Sequence, residues 1–126
     1  MGARLARKED LRLVTGQGKY LADIVLPGML HAVFVRSEYA HARITGIDVS
    51  AARALPGVVD VITGEEISAQ VKSMRPPLLL PNLPAKYPDY HALAVGKVKF
   101  HGDPVAVVIA RDKYTAEDAA ELVVVD

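Results

Sequence analysis

The stretch that decides the fold is "PVAVVIARDKYTAEDAAELVVVD", residues 104–126. Its first seven residues form a nearly continuous apolar run, which is typical of a central strand buried on both faces. Asp112 then stands where a side-chain oxygen can accept the free N–H groups of a helix that begins at Lys113. The stretch therefore predicts a buried strand over 104–110 and a helix over 113–122.

The predicted helix presents one apolar face. Four apolar residues recur along it at the spacing i, i+3, i+4 and i+7, which places their side chains on one side. These residues are Ala116, Ala119, Ala120 and Val123. The β-branched run that follows, residues 122–126, predicts a strand with an unpaired edge. Such an edge recruits partners, so we expect the chain to be a fragment that could self-associate.

Three segments upstream predict strands. Residues 30–36 are apolar, rich in β-branched side chains and too short for a helix. Alternation along this strand would direct His31 and Val35 to one face. The runs 42–47 and 58–63 predict two further strands.

A short helix is predicted over residues 49–55. Asp48 precedes it and can accept N–H groups of its first turn. Pro56 disfavours helical geometry at the residue before it, and Gly57 permits the turn that follows. The helix should therefore end before this Pro-Gly pair.

The polar stretch "RSEYAHARITGIDVS", residues 36–50, is interpreted as structural. It would supply a strand edge, the helix cap Asp48 and a turn into which His41 packs. A role in a substrate channel or an interface stays open for residues 38–41.

A proline-rich stretch over 68–92 separates a turn of helix or a loop at 64–67 from a strand within 93–100. Its prolines are Pro76, Pro77, Pro81, Pro84 and Pro88. Each proline lacks an N–H group and fixes φ, so no regular strand or helix is compatible with this spacing. The leucines between them would be costly to leave in water, so we expect an ordered loop that lies against a surface.

Composition excludes several classes of protein. The 126 residues carry 15 Lys and Arg against 15 Asp and Glu, so no basic excess indicates nucleic-acid binding. There is no cysteine, which excludes disulfides, Cys-ligated metals and a thiol nucleophile in this chain. No apolar run approaches the roughly 20 residues that span a bilayer, and no secretory signal is visible. We therefore expect a cytoplasmic protein without membrane contact.

No catalytic or metal-binding constellation is visible. The four histidines are His31, His41, His91 and His101, and none has a metal-ligand spacing. No serine lies in a nucleophile elbow; Ser37, near Glu38 and His41, comes closest to a triad. The neighbouring carboxylates Glu65-Glu66 and Glu117-Asp118 would point apart on a helix and face solvent. We assign no catalytic, cofactor-binding or metal-binding residue.

Several motifs together resemble a known family. "RKEDLRLVTGQGKYLADIVLPGMLHAVFVRSEYAHARITGIDVSAARALPGVVDVITGEE" (7–66) is similar to the N-terminal stretch of molybdenum hydroxylase large subunits, the xanthine dehydrogenase, aldehyde oxidase and aerobic carbon monoxide dehydrogenase family. "KVKFHGDPVAVVIARDKYTAEDAAELVVVD" (97–126) resembles the second half of the same α/β-hammerhead domain. Arg7-x-Glu9-Asp10-x-Arg12 with Gly16-x-Gly18-x-Tyr20 is more similar to the carbon-monoxide-dehydrogenase branch. Glu38-Tyr39 stands where the family pattern RSPHAHA has Pro-His.

The resemblance implies an α+β fold, with two helices packed on a mixed β-sheet. It implies a hammerhead domain over 20–126 that is part of a longer molybdopterin-binding subunit. Residues 1–19 are polar and carry two close glycines, Gly16 and Gly18, which predicts an N-terminal arm and a turn. The parent enzyme would be an oxidoreductase that holds a molybdenum–pterin cofactor, with iron–sulfur clusters and FAD on partner subunits. The catalytic and cofactor residues would lie in its C-terminal region, outside this chain.

This chain is therefore expected to be a non-catalytic structural domain, with no cofactor of its own. Its partners would be the C-terminal molybdopterin-binding region and the iron–sulfur subunit. Four charged residues lie close together on the arm without predicted local partners, and we expect them at a subunit interface: Arg7, Glu9, Asp10 and Arg12. The alternative is an independent interaction module that binds a partner through residues 74–88 and its exposed final strand.

Overall fold

The computed structural model describes Gly2, residues 7–74 and residues 89–126. Its elements in chain order are α1 (Asp10–Val14), a 3-10 helix (Leu21–Asp23), β1 (His31–Arg36), β2 (Ala42–Arg43), β3 (Ile47–Asp48), α2 (Ser50–Ala54), β4 (Val58–Thr63), α3 (Gly64–Ser68), β5 (Lys97–Val98), β6 (Pro104–Ala110), α4 (Lys113–Glu121) and β7 (Val124–Val125). The expected α+β class is confirmed, and every strand pair among the described residues is antiparallel.

β6 is the central strand of the main sheet, as its apolar run predicts. It lies between β1 and β4 and pairs with both, so that Val107 faces Phe34 on one side and Ile62 on the other. Four of its seven residues are buried: Val105, Ala106, Val108 and Ala110. The expected strands 30–36 and 58–63 are thus confirmed, and the structure places them on either side of β6.

Two helices cover one face of this sheet. Ala52 of α2 and Ala119 of α4 form a core with Val61 and Val108, and all four side chains are fully buried. Alanines at these contacts let the helices approach the sheet closely, because a larger side chain would hold them apart. The predicted apolar face of α4 is therefore confirmed.

The predicted cap of α4 is confirmed, because Asp112 is its N-cap residue and accepts the Thr115 N–H at 2.9 Å. The predicted cap of α2 is wrong, since its N-cap residue is Val49 and has no side-chain cap; Asp48 lies one residue earlier and accepts the Ser50 N–H at 2.9 Å in a local turn. Gly57 has a φ of +98°, a conformation that favours glycine, and the chain leaves α2 there. These hydrogen bonds lower the pKa of both carboxyls, chiefly through Ser50 for Asp48 and through Thr115 for Asp112.

The strand expected over 42–47 is instead two short strands with different partners. β2 pairs with β5, and β3 pairs with β7. Between them the backbone changes partner, since the Ile44 N–H donates to Gly96 O at 3.0 Å and the Thr45 N–H donates to Asp126 O at 2.7 Å. The first part of this stretch pairs with β5 and the last part pairs with β7. Neither ladder therefore extends over all of residues 42–47.

The expected unpaired edge at the end of the chain is wrong for β7. Val125 lies opposite Ile47 and Val124 opposite Asp48, so the final strand has a partner within the same domain. Self-association through this strand stays a prediction.

The proline-rich stretch falls largely outside the described residues, and so do all five of its prolines. At its base the Met74 N–H donates to Tyr90 O at 2.6 Å, which brings the two described ends together. No helix among the described residues is long and apolar enough to cross a membrane.

Candidate interaction surfaces

An exposed segment, defined here as residues 7–30, precedes the main sheet. Only Gly18 and Met29 within it are half-buried, and the remaining residues are exposed. It carries nine large hydrophobic side chains that are at least two-fifths exposed: Leu11, Leu13, Val14, Tyr20, Leu21, Ile24, Val25, Leu26 and Leu30. Exposed apolar side chains gathered this way on one segment are typical of interaction sites.

The short helix α1 lies within this segment, where the sequence predicted an arm and a turn without a helix. Leu11 and Val14, one turn apart, are 74% and 81% exposed. They form an apolar side of α1. α1 itself has no buried residue, so this side is exposed to solvent among the described residues.

The four residues expected at an interface lie on this segment and are all exposed: Arg7, Glu9, Asp10 and Arg12. None of their side chains forms an ion pair within the described ranges 7–74 and 89–126. Asp10 nevertheless has a local partner, because its carboxylate accepts the Arg7 backbone N–H at 3.3 Å. The expectation that all four lack local partners is therefore wrong for Asp10.

The turn after β1 is built by the polar residues of the "RSEYAHA" stretch. Arg36 donates to Gly102 O at 3.0 Å, and Ser37 exchanges backbone hydrogen bonds with Gly102 and Asp103. The Ser37 hydroxyl accepts the Tyr39 N–H at 3.0 Å, which uses it as a turn-forming group. His41 is exposed at the bend before β2, so the interpretation of His41 as packed into the turn is wrong.

Beside this turn a groove of about 420 Å³, called here the β1–α4 groove, opens between the end of β1 and the end of α4. Glu38, Tyr39 and Glu121 line it together with apolar side chains. The stretch that the sequence left open for an interface thus borders a concave surface.

A second groove of about 510 Å³ contains an ion pair that joins three elements. The Arg53 guanidinium of α2 donates to Glu66 at 2.7 Å and to the Val61 carbonyl at 2.6 Å. Glu66 also accepts the Thr63 N–H at 2.8 Å and so completes the cap of α3. Arg53 first, and then Thr63, lowers the pKa of Glu66.

The role of Glu66 was missed by the sequence analysis, which placed it on a solvated face. The signal was available, because Thr63 and Glu66 stand three residues apart at the start of a helix, as a capping box requires. Glu65, its neighbour, is exposed and makes no side-chain hydrogen bond among the described residues.

The histidines are dispersed. His31 is half-buried in β1, while His41 and His101 are exposed. His91 is half-buried, and its Nδ1 atom has no hydrogen-bond partner in the described part of the chain. No group of three His, Cys, Asp or Glu side chains among the described residues could hold a metal ion.

Comparison with known proteins adds a consistent set of matches. The sequence model of the family described as aldehyde oxidase and xanthine dehydrogenase, a/b hammerhead domain, matches residues 15–126. The carbon monoxide dehydrogenase large chain of Afipia carboxidovorans is 47% identical, with all of this chain and 15% of the relative aligned. The nicotine 6-hydroxylase large subunit of Paenarthrobacter nicotinovorans is 45% identical over 98% of this chain and 15% of its own length.

Solved structures show the same relationship. The crystal structure of quinoline 2-oxidoreductase from Pseudomonas putida 86 superimposes with a TM-score of 0.84 at 43% identity, over 97% of this chain and 15% of that chain. The chain therefore spans about 15% of the length of the proteins it matches.

Proposed function

The chain belongs to the aldehyde oxidase and xanthine dehydrogenase a/b hammerhead family, and we propose that it is the non-catalytic, N-terminal structural domain of a molybdenum hydroxylase large subunit. In this proposal the parent enzyme is an oxidoreductase with a molybdenum–pterin cofactor, and its iron–sulfur clusters and FAD lie on partner subunits.

One observation carries the proposal: the exposed segment, residues 7–30. The domain core forms without it, since the buried described residues lie on the main sheet and in the turn before β6, on α2, α3 and α4, and on β5 and just ahead of it. Each exposed aliphatic side chain covered by a partner would contribute roughly 1.5–3 kcal/mol. Eight aliphatic side chains and Tyr20 offer enough apolar surface to bind another subunit, with the charges of Arg7, Glu9, Asp10 and Arg12 at the end of the segment.

The described residues do not fit a molybdenum–pterin group. They contain no cluster of three metal-ligating side chains. Arg53, the basic side chain in the larger groove, is already engaged by Glu66 and by the Val61 carbonyl. We therefore assign the cofactor to the rest of the large subunit and derive no step through it.

The alternative, an independent interaction module, receives no support from an observation. Residues 75–88 of its expected binding loop lie outside the described residues, and its expected free strand pairs with β3.

The test uses the full-length large subunit expressed with its partner subunits. Arg7→Glu combined with Arg12→Glu should lower the amount of iron–sulfur subunit that co-purifies, while the molybdenum content per large subunit stays unchanged. Arg43→Glu combined with Arg111→Glu is the matched control, since both arginines are exposed outside the segment. Unchanged co-purification would contradict the interface, and loss of molybdenum from an assembled complex would contradict the non-catalytic role.

A further inference from the structure

We propose that the β1–α4 groove binds a polypeptide segment that carries a Lys or Arg next to an aliphatic side chain. The occupant is a segment of the assembled enzyme outside residues 1–126, so this inference rests on the proposed function for its partner. The matched region covers only 15% of a relative's length, so most of such a polypeptide lies outside it.

The floor of the groove is apolar and comes from three elements. Val35 belongs to β1, Val105 to β6 and Ala120 to α4. Val105 is 1% exposed, so its side chain is packed against neighbouring residues. Val125 of β7, which is 39% exposed, extends the apolar surface at one end. A volume of about 420 Å³ accommodates one or two aliphatic side chains of a docked segment.

The rim of the groove is acidic. Glu38 follows β1 and Glu121 ends α4; both line the groove and are exposed, and neither carboxylate forms an ion pair or a side-chain hydrogen bond within the described ranges. Both carboxylates are negative, so their effects on a charge above the groove add. Together they attract a cation and repel an anion. A basic side chain placed over an aliphatic one would satisfy both the rim and the floor.

Arg36, which also borders the groove, does not neutralise this rim. Its guanidinium donates to Gly102 O at 3.0 Å and lies 5.6 Å from the centroid of the Phe34 ring. Phe34 and Arg36 alternate with Val35 along β1, so this stacked pair lies on the other side of the strand. Within the described ranges the guanidinium forms no ion pair with Glu38 or Glu121.

The rim is also held in place before a partner arrives. The Ser37 N–H donates to Asp103 O at 3.0 Å, and the Gly102 N–H donates to Ser37 O at 2.8 Å. Tyr39, 70% exposed, presents an aromatic ring that can contact a cation beside the carboxylates. A fixed turn loses little conformational freedom on binding, which favours a specific segment over a loose contact.

The experiment places a photo-crosslinking benzoylphenylalanine at position 39 of the full-length enzyme and, as a control, at position 114. Tyr114 is 77% exposed on α4 and does not border the groove. Mass spectrometry should identify one segment crosslinked at 39, with Lys or Arg beside an aliphatic residue, and no corresponding product at 114.

Replacing the two rim carboxylates by neutral amides tests whether the bound segment is recognised by its charge or only lies close to position 39. Glu38→Gln combined with Glu121→Gln should lower the crosslinking yield at position 39 by about fivefold, the magnitude expected when exposed ion pairs are lost. Glu117→Gln combined with Asp118→Asn, on the exposed side of α4, should leave it unchanged.

A crosslinked segment without a basic residue, a second copy of residues 1–126, equal yields at 39 and 114, or no effect of the rim substitutions would overturn the inference. Failure of partner subunits to co-purify would contradict the proposed function, whereas crosslinking within the full-length chain would still decide the occupant of the groove.

Discussion

Gly64 lies directly against the main chain of Ala94, and a Cβ atom on Gly64 would come within 2.0 Å of the Ala94 carbonyl oxygen. The Ala94 N–H in turn donates to Pro104 O at 2.7 Å. The start of α3 is therefore held against the segment before β5, which is itself tied to the central strand β6.

This contact predicts that Gly64→Ala is strongly destabilising. The clash is with backbone, which cannot rotate away, so we expect a loss of about 3 kcal/mol in the free energy of unfolding, measured by urea titration. Gly46→Ala is the control, because the nearest atom to its added Cβ is a side-chain oxygen of Asp126 at 3.8 Å. A loss in Gly64→Ala no larger than in the control would contradict the close approach.

The buried side chain of Val108 predicts a second stability effect. Val108→Ala removes two methyl groups from the centre of the core and should cost about 2 kcal/mol. Val59→Ala, at a residue 52% exposed on β4, should change the free energy of unfolding by less than about 0.5 kcal/mol. Equal losses at both positions would contradict the burial of Val108 in the core.

The cap and ion pair of Glu66 predict a smaller loss. Glu66→Ala removes the bonds to Arg53 and Thr63 and should cost about 1 kcal/mol, because both partners of the ion pair are more than two-fifths exposed and screened by water. Glu65→Ala is the control on the same turn of helix. The result that contradicts this role is an equal loss for both alanine variants in chemical denaturation.

Stability should fall in acid through three carboxyls whose pKa is lowered in the folded chain: Asp48, Glu66 and Asp112. The unfolded chain binds protons at the ordinary pKa values, 4.5 for Glu and 3.8 for Asp, whereas the folded chain resists protonation to lower pH. Their stabilisation is complete above those ordinary values and is lost as the pH falls through the lower pKa values of the folded chain.

Thermal unfolding between pH 6 and pH 2 is the measurement. The double variant Glu66→Gln with Asp112→Asn should show a flatter decline in the melting temperature than the parent chain, since neither amide titrates. Asp118→Asn, an exposed position on α4 outside this set, should leave the slope unchanged. A parallel decline in all three proteins would contradict the role of the two carboxyls.

Substitutions in the exposed segment should weaken subunit assembly without changing the stability of the domain. Leu21→Ser combined with Val25→Ser should leave the free energy of unfolding of the chain within about 0.5 kcal/mol, because these side chains are 88% and 80% exposed. The same change should reduce co-purification of partner subunits with the full-length protein. Tyr114→Ser supplies the exposed control, and assembly that is equally strong with the double variant would exclude the segment from the interface.

Local sequence patterns were sufficient to predict the central strand β6 and the helix α4 that follows it. The apolar run of β6, the cap at Asp112 and the apolar face of α4 each depend on neighbours within a few residues, so sequence spacing was sufficient. The same holds for Thr63 and Glu66, whose spacing carried a signal that the analysis did not use.

Local patterns could not predict which strands pair when the partners are far apart in the sequence. Residues 42–47 have the composition of one strand, and they divide into β2 and β3 because Gly96 and Asp126 compete for adjacent backbone groups. A partner more than 50 positions away leaves no periodic trace in either segment. The exposure of residues 7–30 was equally invisible, because apolar residues in a sequence predict burial without saying which molecule supplies it.

Because β6 lies between β1 and β4 but follows both in the chain, the main sheet cannot form until β6 has been synthesised. Its two neighbours, β1 and β4, leave the ribosome first and have no common partner until Ala110 follows. At bacterial and eukaryotic translation speeds this delay lasts roughly 2 to 9 seconds, far longer than the microseconds in which a hairpin closes. Nascent β1 and β4 therefore pass through an interval as ready substrates for chaperones, and slow codons between residues 63 and 104 would lengthen it.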